Sequence, residues 1–404
     1  SMVTMQSWMF LSSFEDMRTR LLEDRTLSCM VHMGNGVMGI AFGTAATIFM
    51  NRHINGFEGS FSYCENDDLN DAGVPAQFPV PNERLKTAKP DDFEKIPGSP
   101  VAYWVSHRVR KVFEDAVSLS DISEIKQGLA TCNNDLFLRA WYEVSFSSIG
   151  LGFEESESAH DSNKKWFPYN KGGGYRKWYG NNLNVVNWQR GGRDIHAYSN
   201  LPVTHQGAPV RAKPYYFKPG ITYGLISSYG FSARLVDPGF VFDVGGSMVF
   251  PEIETNSILG FLCSKLSSEF IDILNPTLNY QVGDVARIPI LEGALAEVSF
   301  DKERNVDIYR DDEASFETSW NFSKNPLVST QVGRRDSLEN TFNSLVEKCN
   351  EVISSAIRNE EENNRSYICA YGLEKEVSPS VAIEQVTLSI NTVYRYGTDI
   401  GADE

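Results

Sequence analysis

Leu27-Ser28-Cys29-Met30-Val31-His32-Met33-Gly34-Asn35-Gly36-Val37-Met38-Gly39-Ile40-Ala41-Phe42-Gly43-Thr44-Ala45-Ala46-Thr47-Ile48-Phe49-Met50 is the stretch that decides the fold of the N-terminal region. Leu27 to Met33 reads as a strand, and so does Ile40 to Met50, rich in small and β-branched residues. Gly34, Gly36 and Gly39 match the spacing G-x-G-x-x-G between them. In a dinucleotide fold that motif must open a helix, whose N-terminus holds the pyrophosphate. Here a strand follows, so the expected element is a glycine turn joining two strands. Upstream, Val3 to Phe10 is a short apolar run. Ser12 or Ser13 can cap a helix with Glu15 and Asp16 in its first turn.

Residues 56 to 100 are rich in Asp, Asn, Pro and Gly and predict an irregular, surface-running connection. Short β-like runs alternate with turns from Leu119 to Gly260, clearest at Ile221–Tyr229 and Gly239–Val244. Ser257 to Leu274 predicts a helix that stops at Asn275-Pro276. Residues 291 to 335 are acidic and mixed. A long helix is expected from about Ser337 toward Ala370, with a stripe through Leu338, Phe342, Val346, Cys349, Ile353 and Ala356. The last thirty residues read as polar and irregular. The stripe is expected to pack on its own domain, and the alternative is a partner groove.

The chain has 404 residues and a formal net charge of −16. Its composition is that of a folded chain with room for more than one core, not of a disordered or fibrous one. No apolar run is long enough to span a bilayer, and Met2–Leu11 lacks the basic flank and cleavage site of a signal peptide. The six cysteines form no C-x-x-C pair, which argues for free thiols in a reducing compartment. The six histidines show no metal-binding spacing. Pro90-Asp91 with Glu124-Ile125-Lys126 imitates a nuclease signature, but so loose a spacing reads as ordinary surface residues. No nucleophile elbow and no P-loop is present.

The charge is unevenly spread. His160 to Lys218 holds ten Lys and Arg against Asp161 and Asp194, so the window is +8 and the rest is −24. Within it lie Lys164-Lys165-Trp166-Phe167-Pro168-Tyr169-Asn170-Lys171-Gly172-Gly173-Gly174-Tyr175-Arg176-Lys177-Trp178-Tyr179, then Trp188-Gln189-Arg190 and Arg193. Cations interleaved with rings and glycines suit nucleic acid: ammonium and guanidinium groups neutralise phosphates, Arg and Gln read base edges, and rings stack. The candidate DNA-binding residues are Lys164, Lys165, Trp166, Tyr169, Lys171, Tyr175, Arg176, Lys177, Trp178, Tyr179, Trp188, Gln189, Arg190 and Arg193. The alternative is an aromatic loop packed on its own core with its lysines in solvent.

Several blocks, in order, resemble the adenine-specific DNA methyltransferases of BREX phage-defence systems (PglX type), relatives of type IIG restriction–modification enzymes. Met2–Leu11 is similar to the strand and helix start that follow the family's catalytic motif. Met30–Gly34 through Met50-Asn51-Arg52 is similar to the closing hairpin of the methyltransferase sheet. Lys126-Gln127-Gly128-Leu129-Ala130-Thr131-Cys132-Asn133 resembles the G-x-x-T-G-x-N opening of a target-recognition domain, with Cys132 in place of glycine. Trp166 to Arg193 is the most specific block. Asn275-Pro276-Thr277, Gln281–Asp284 and Ile288-Pro289 resemble the end of such a domain. Ser319-Trp320-Asn321-Phe322 and Tyr371-Gly372-Leu373 are similar to later segments.

The resemblance implies a mixed α/β chain in four parts: the last strands of a Rossmann-like methyltransferase sheet (1–55), an irregular connection (56–118), an α+β target-recognition domain (119–290) and a helical spacer (291–404). It implies double-stranded DNA as partner, other BREX proteins as neighbours, a bacterial or archaeal cytoplasm and no membrane. The whole enzyme would use S-adenosylmethionine to methylate a flipped adenine. The family's Asn/Asp-Pro-Pro-aromatic motif does not occur: Asn275-Pro276-Thr277 and Asn325-Pro326-Leu327 depart from it. The chain is therefore expected to be an internal or C-terminal portion that binds no cofactor and is inactive alone. Its truncated sheet is expected to favour oligomerisation. Within that frame Lys164, Lys165, Lys171 and Lys177 would hold phosphates, and Arg176, Gln189, Arg190 and Arg193 would face base edges. The rival reading is a scaffolding module for other defence proteins.

Overall fold

The structure is a computed structural model, and it describes residues 1–77, 84–202, 204–205, 207–298, 302–330 and 337–397. Parts of the expected 56–118 connection and 291–404 spacer, and the last residues of the chain, lie outside the described residues. The fold is mixed α/β with several sheets. The chain divides into two compact units. Unit 1 is Ser1–Val117 with Phe270–Thr277 and Arg287–Leu291; unit 2 is Ser118–Glu269 with Leu278–Ala286 and Glu292–Glu404.

Unit 1 is built on a five-stranded sheet. β1 (Met2–Met5) leads through a short turn to α1 (Glu15–Asp24), then β2 (Thr26–Met33), β3 (Thr44–Met50), β4 (Gly59–Cys64) and β5 (Leu85–Ala88). The order is β1-β3-β2-β4-β5. β2 and β3 are antiparallel, so the glycine stretch joins two strands as read, with Gly36 and Gly39 at φ +85° and +72°. Only a single 3-10 turn, Val37–Gly39, lies between them. No helix opens there, and the dinucleotide reading has no geometry to stand on.

The irregular connection expected at 56–100 holds two strands instead. β4 lies inside the sheet, parallel to β2, and its Phe61 is fully buried. Six residues between Asn55-Gly56 and Glu65-Asn66-Asp67-Asp68 are too short for their alternation to stand out. Phe61 stacks on Tyr103 at 4.9 Å, within a core that includes Trp8, Phe10, Leu27, Met30 and Phe93. Arg18 of α1 is fully buried and donates to the carbonyls of Trp8 (2.7 Å), Leu11 (3.1 Å), Gly98 and Ser99 (2.9 Å). It ties α1 to two loops through backbone carbonyls. Burial lowers its pKa to about 10, still far above neutrality. α2 (His107–Asp115) starts at Ser106, whose hydroxyl accepts from the Val109 amide at 3.2 Å.

Unit 2 carries two four-stranded sheets. One runs Val241–Phe242, Trp166–Asn170, Asn184–Asn187, Leu138–Ala140; the other runs Ala233–Val236, Gly220–Tyr223, Met248–Pro251, Ser123–Lys126. Their shared core contains Phe167, Tyr169, Trp188, Tyr216, Phe217, Phe242 and Met248. The helix expected at 257–274 is two helices, Thr255–Leu262 and Lys265–Leu274. The long helix is Leu338–Ala370, capped by Ser337, which accepts from the Asn340 amide at 3.1 Å. Its stripe divides: Ile353 and Ala356 are buried, whereas Leu338, Phe342 and Val346 are 76%, 54% and 40% exposed. The last thirty residues are less polar in effect than they read, since Val377, Val381, Val386 and Leu388 are buried. Glu292–Glu404 fall in the same compact unit as Ser118–Glu269. All six cysteines are free. No described helix is long and apolar enough to cross a membrane.

Candidate functional site

The basic–aromatic island is folded mostly inward. Its first strand, Trp166–Asn170, is buried at all five positions because it pairs on both sides. Tyr169 donates from Oη to Asp243 Oδ2 at 2.5 Å, and the Lys171 ammonium sits 2.8 Å from the same oxygen. Burial, with the Asp243 charge, holds the Tyr169 hydroxyl far above its usual pKa. Arg234, fully buried, donates to the carbonyl of Gly172 at 2.7 Å and so clamps the glycine turn from within.

Tyr175 to Tyr179 goes deeper still. Arg176 donates to Tyr179 O (2.7 Å), Ser389 Oγ (2.8 Å) and Asp312 Oδ2 (3.0 Å). Asp312 also accepts from the amides of Ser389 (2.7 Å) and Ile390 (3.0 Å). Lys177 reaches Glu360 Oε2 at 3.2 Å, and Tyr309 Oη donates to the other oxygen at 2.5 Å. Burial pulls the Lys177 pKa down, but Tyr175, Glu360 and Cys263 outweigh it, and the ammonium stays above the usual lysine range. Trp178 is fully buried at φ +67°, and Tyr179 donates to Asp237 at 2.8 Å.

Eight of the fourteen residues, Trp166, Tyr169, Tyr175, Arg176, Lys177, Trp178, Tyr179 and Trp188, are each at most 9% exposed. Their side chains face the interior of unit 2 rather than solvent. Exposing a cation held by a buried carboxylate would leave that carboxylate unpaired in low dielectric. The other six are accessible. Lys165, Arg190 and Arg193 are exposed; Lys164, Lys171 and Gln189 are half-buried. Arg190, Gly191 and Gly192 form a left-handed run at φ +52°, +71° and +76°, with Arg190 exposed and Gly192 against the buried Trp188 ring. Arg193 pairs with Asp194 at 3.2 Å.

Unit 1 holds a site that the sequence reading did not single out. A cavity of about 410 Å³ is lined by His32, Tyr63, Tyr103 and Trp104, with Gln6, Asn35 and Arg84 at its polar side. The His32 ring packs against Tyr63 at 4.8 Å and lies nearly parallel to Trp104 at 6.4 Å. Its Nε2 is 2.7 Å from Gln6 Oε1 and its Nδ1 is 3.2 Å from Tyr103 Oη. Burial lowers its pKa to about 4, so the imidazole is neutral at pH 7. The available signal was position: His32 shares a strand face with buried Met30, and Tyr103-Trp104 is an aromatic pair within the apolar run Val101–Val105.

The nuclease-like residues have local partners instead. Asp91 accepts from the Gly56 amide at 2.7 Å, and Lys126 pairs with Glu124. Among the described residues no cluster of His, Cys, Asp and Glu could hold a metal ion.

Two curated relatives decide the family. The chain is 34% identical over 406 residues to an adenine-specific methyltransferase PglX of Lacticaseibacillus casei (strain Zhang), covering 96% of this chain and 33% of that protein. It is 33% identical over 406 residues to an adenine-specific methyltransferase BrxX of Escherichia coli O9:H4 (strain HS), covering 98% of this chain and 31% of that protein. The chain is related to the PglX/BrxX adenine-specific methyltransferases. It spans about a third of the length of these relatives.

Two solved structures are also similar: the type IIL restriction–modification enzyme MmeI in complex with DNA and the type IIG restriction endonuclease BpuSI. MmeI is matched at 10% identity and a TM-score of 0.43, over 96% of this chain and 48% of that one. BpuSI is matched at 10% identity and a TM-score of 0.29, over 92% and 47%. At those scores the likeness adds nothing to the sequence relationship. No family model matches the chain.

For PglX/BrxX relatives the implied cofactor is S-adenosylmethionine. The glycine turn of unit 1 leads from β2 into β3, strand to strand, and so lacks the strand-to-helix loop that would cradle it. The turn does not fit that group, and no methyl-transfer step can be written through it.

Proposed function

We propose that this chain is the DNA-engaging part of a site-specific adenine methyltransferase of a BREX phage-defence system. The observation that carries the proposal is the relationship to PglX and BrxX over 96–98% of the chain. Unit 2 is the target-recognition unit, and 1–55 are the closing strands of a Rossmann-like methyltransferase sheet. The neutral His32 and the rings around it suit a planar base turned out of a duplex: Tyr63, Tyr103 and Trp104 offer apolar contact, and Gln6 and Asn35 offer amide hydrogen bonds. The cavity volume lies in the range of small-molecule sites, roughly 300–1,000 Å³. The whole enzyme takes its methyl group from S-adenosylmethionine, bound by residues other than these.

The test is fluorescence anisotropy of the chain on a labelled duplex, titrated with salt, with and without S-adenosylmethionine. Salt-dependent binding that ignores the cofactor supports the proposal. No duplex binding at low salt overturns it.

A second reading has one observation in its favour. The exposed Leu338, Phe342 and Val346 lie on one stripe of the long helix and suit a protein partner, in line with a scaffolding role. Pull-down of another BREX protein, lost in F342E, would move this reading to first place.

A further inference from the structure

With most of the island folded inward, the contact surface for DNA must be built from other cations. The Arg211–Lys218 turn has the required construction. Tyr216 and Phe217 are 1% and 0% exposed and anchor it in the core of unit 2. The Phe217 amide donates to Phe240 O at 2.7 Å, and the Phe217 carbonyl accepts from the Gly239 amide at 2.9 Å. Between and beside these anchors Lys213 and Lys218 are exposed and Tyr215 is half-buried.

Three features mark this turn. First, two ammonium groups lie over one ring: Lys126 Nζ at 5.1 Å and Lys218 Nζ at 5.4 Å from the centre of Tyr215. The ring itself rests on Phe250 at 4.9 Å. Like charges are thus gathered rather than dispersed. Second, the backbone is held in a costly shape. Ala212 and Phe217 sit at φ +53° and +70°, where side-chain-bearing residues rarely stay unless the surroundings impose it. Third, the cations are available. Among the described residues Lys213 and Lys218 have no ion-pair partner, and Lys126 has only Glu124. The Lys213 ammonium lies near Gly191, which joins the turn to exposed Arg190 and to Arg193. Glu154, Glu155, Glu157 and Asp161 line the depression that Lys213, Lys218 and His160 also border, so this strip has an acidic margin.

We infer that Lys126, Lys213 and Lys218, arranged around Tyr215 and continued by Arg190, form a phosphate-contacting strip of unit 2. The inference rests on the DNA-binding reading above and deepens it. Gathered, rigidly mounted lysines neutralise backbone phosphates irrespective of sequence.

The experiment compares the full chain with K126Q/K213Q/K218Q on one labelled duplex across a salt series. Each lost phosphate contact lowers the slope of log affinity against log salt by about 0.9, so a fall of about 2–3 is expected. A control set of exposed lysines in unit 2, K324Q/K348Q/K375Q, leaves the slope unchanged. K213Q/K218Q, which spares the Glu124 pair, serves if the triple variant melts early, and its slope falls by about 2. Binding by the unaltered chain with the same slope in these variants overturns the strip and leaves the DNA reading standing. No duplex binding by the unaltered chain overturns both.

Discussion

Lys177 and Glu360 are 183 positions apart in sequence and 3.2 Å apart in unit 2, with side chains 6% and 1% exposed. This pair joins the second half of the island to the long C-terminal helix. One residue earlier, Arg176 and Asp312 join the island to the helix Lys302–Ala314, across 136 positions. The most cationic segment of an acidic chain therefore serves as an internal fastener.

Breaking one side of that fastener should cost far more than removing both. Glu360→Gln leaves the Lys177 ammonium buried without a counter-charge and is expected to destabilise by about 3–5 kcal/mol. K177M/E360L should cost much less than the sum of the single variants. Urea unfolding of the four proteins measures this coupling, and additive losses below about 1 kcal/mol would place the pair in solvent.

His32 makes stability depend on pH. Its folded pKa is about 4, against 6.5 in the unfolded chain, so the unfolded state binds more protons between those values. Stability is full above pH 6.5 and falls as the pH drops toward 4, by roughly 3 kcal/mol in all. His32→Gln should remove most of that slope. An identical pH profile for the variant would mean that another group carries it.

Cys132 stands at φ +61°, in the place where the family pattern has glycine. The turn is held in a left-handed shape that disfavours a side chain. Cys132→Gly should stabilise by about 0.5–1 kcal/mol, after the loss of unfolded-state restriction is counted. A lower denaturation midpoint would show that the thiol contact to Ala130 O, at 3.6 Å, matters more than the backbone.

Gly128, in the same motif, has a different reason to be glycine. A β-carbon there would lie 2.0 Å from the Phe242 carbonyl oxygen. Gly128→Ala should force the 241–242 strand away and destabilise by about 2–4 kcal/mol, visible as a lowered melting midpoint.

Local features were legible in the sequence. The β2–β3 connection was announced by Gly34, Gly36 and Gly39 between strand-like runs, and the long helix by Ser337 and its stripe. Long-range pairing was not. Nothing near Arg176 or Lys177 indicates that Asp312 and Glu360 will meet them, and a cation paired inside looks the same in sequence as one aimed at a phosphate. β4 was hidden for a similar reason: Phe61 is central to the sheet, but the turn residues around it dominate any local window. His32 was one of six histidines without metal-binding spacing and carried no further signal; the cavity beside it depends on Tyr63, Tyr103 and Trp104 arriving from other elements.

The measurement that tests the account most directly is lysine acetylation footprinting of the chain, free and bound to duplex. Lys177 should stay unmodified in both states, while Lys213 and Lys218 react in the free protein and are protected by DNA. Modification of Lys177 in the free chain, with protection on adding duplex, would contradict the account and return the island to the DNA face.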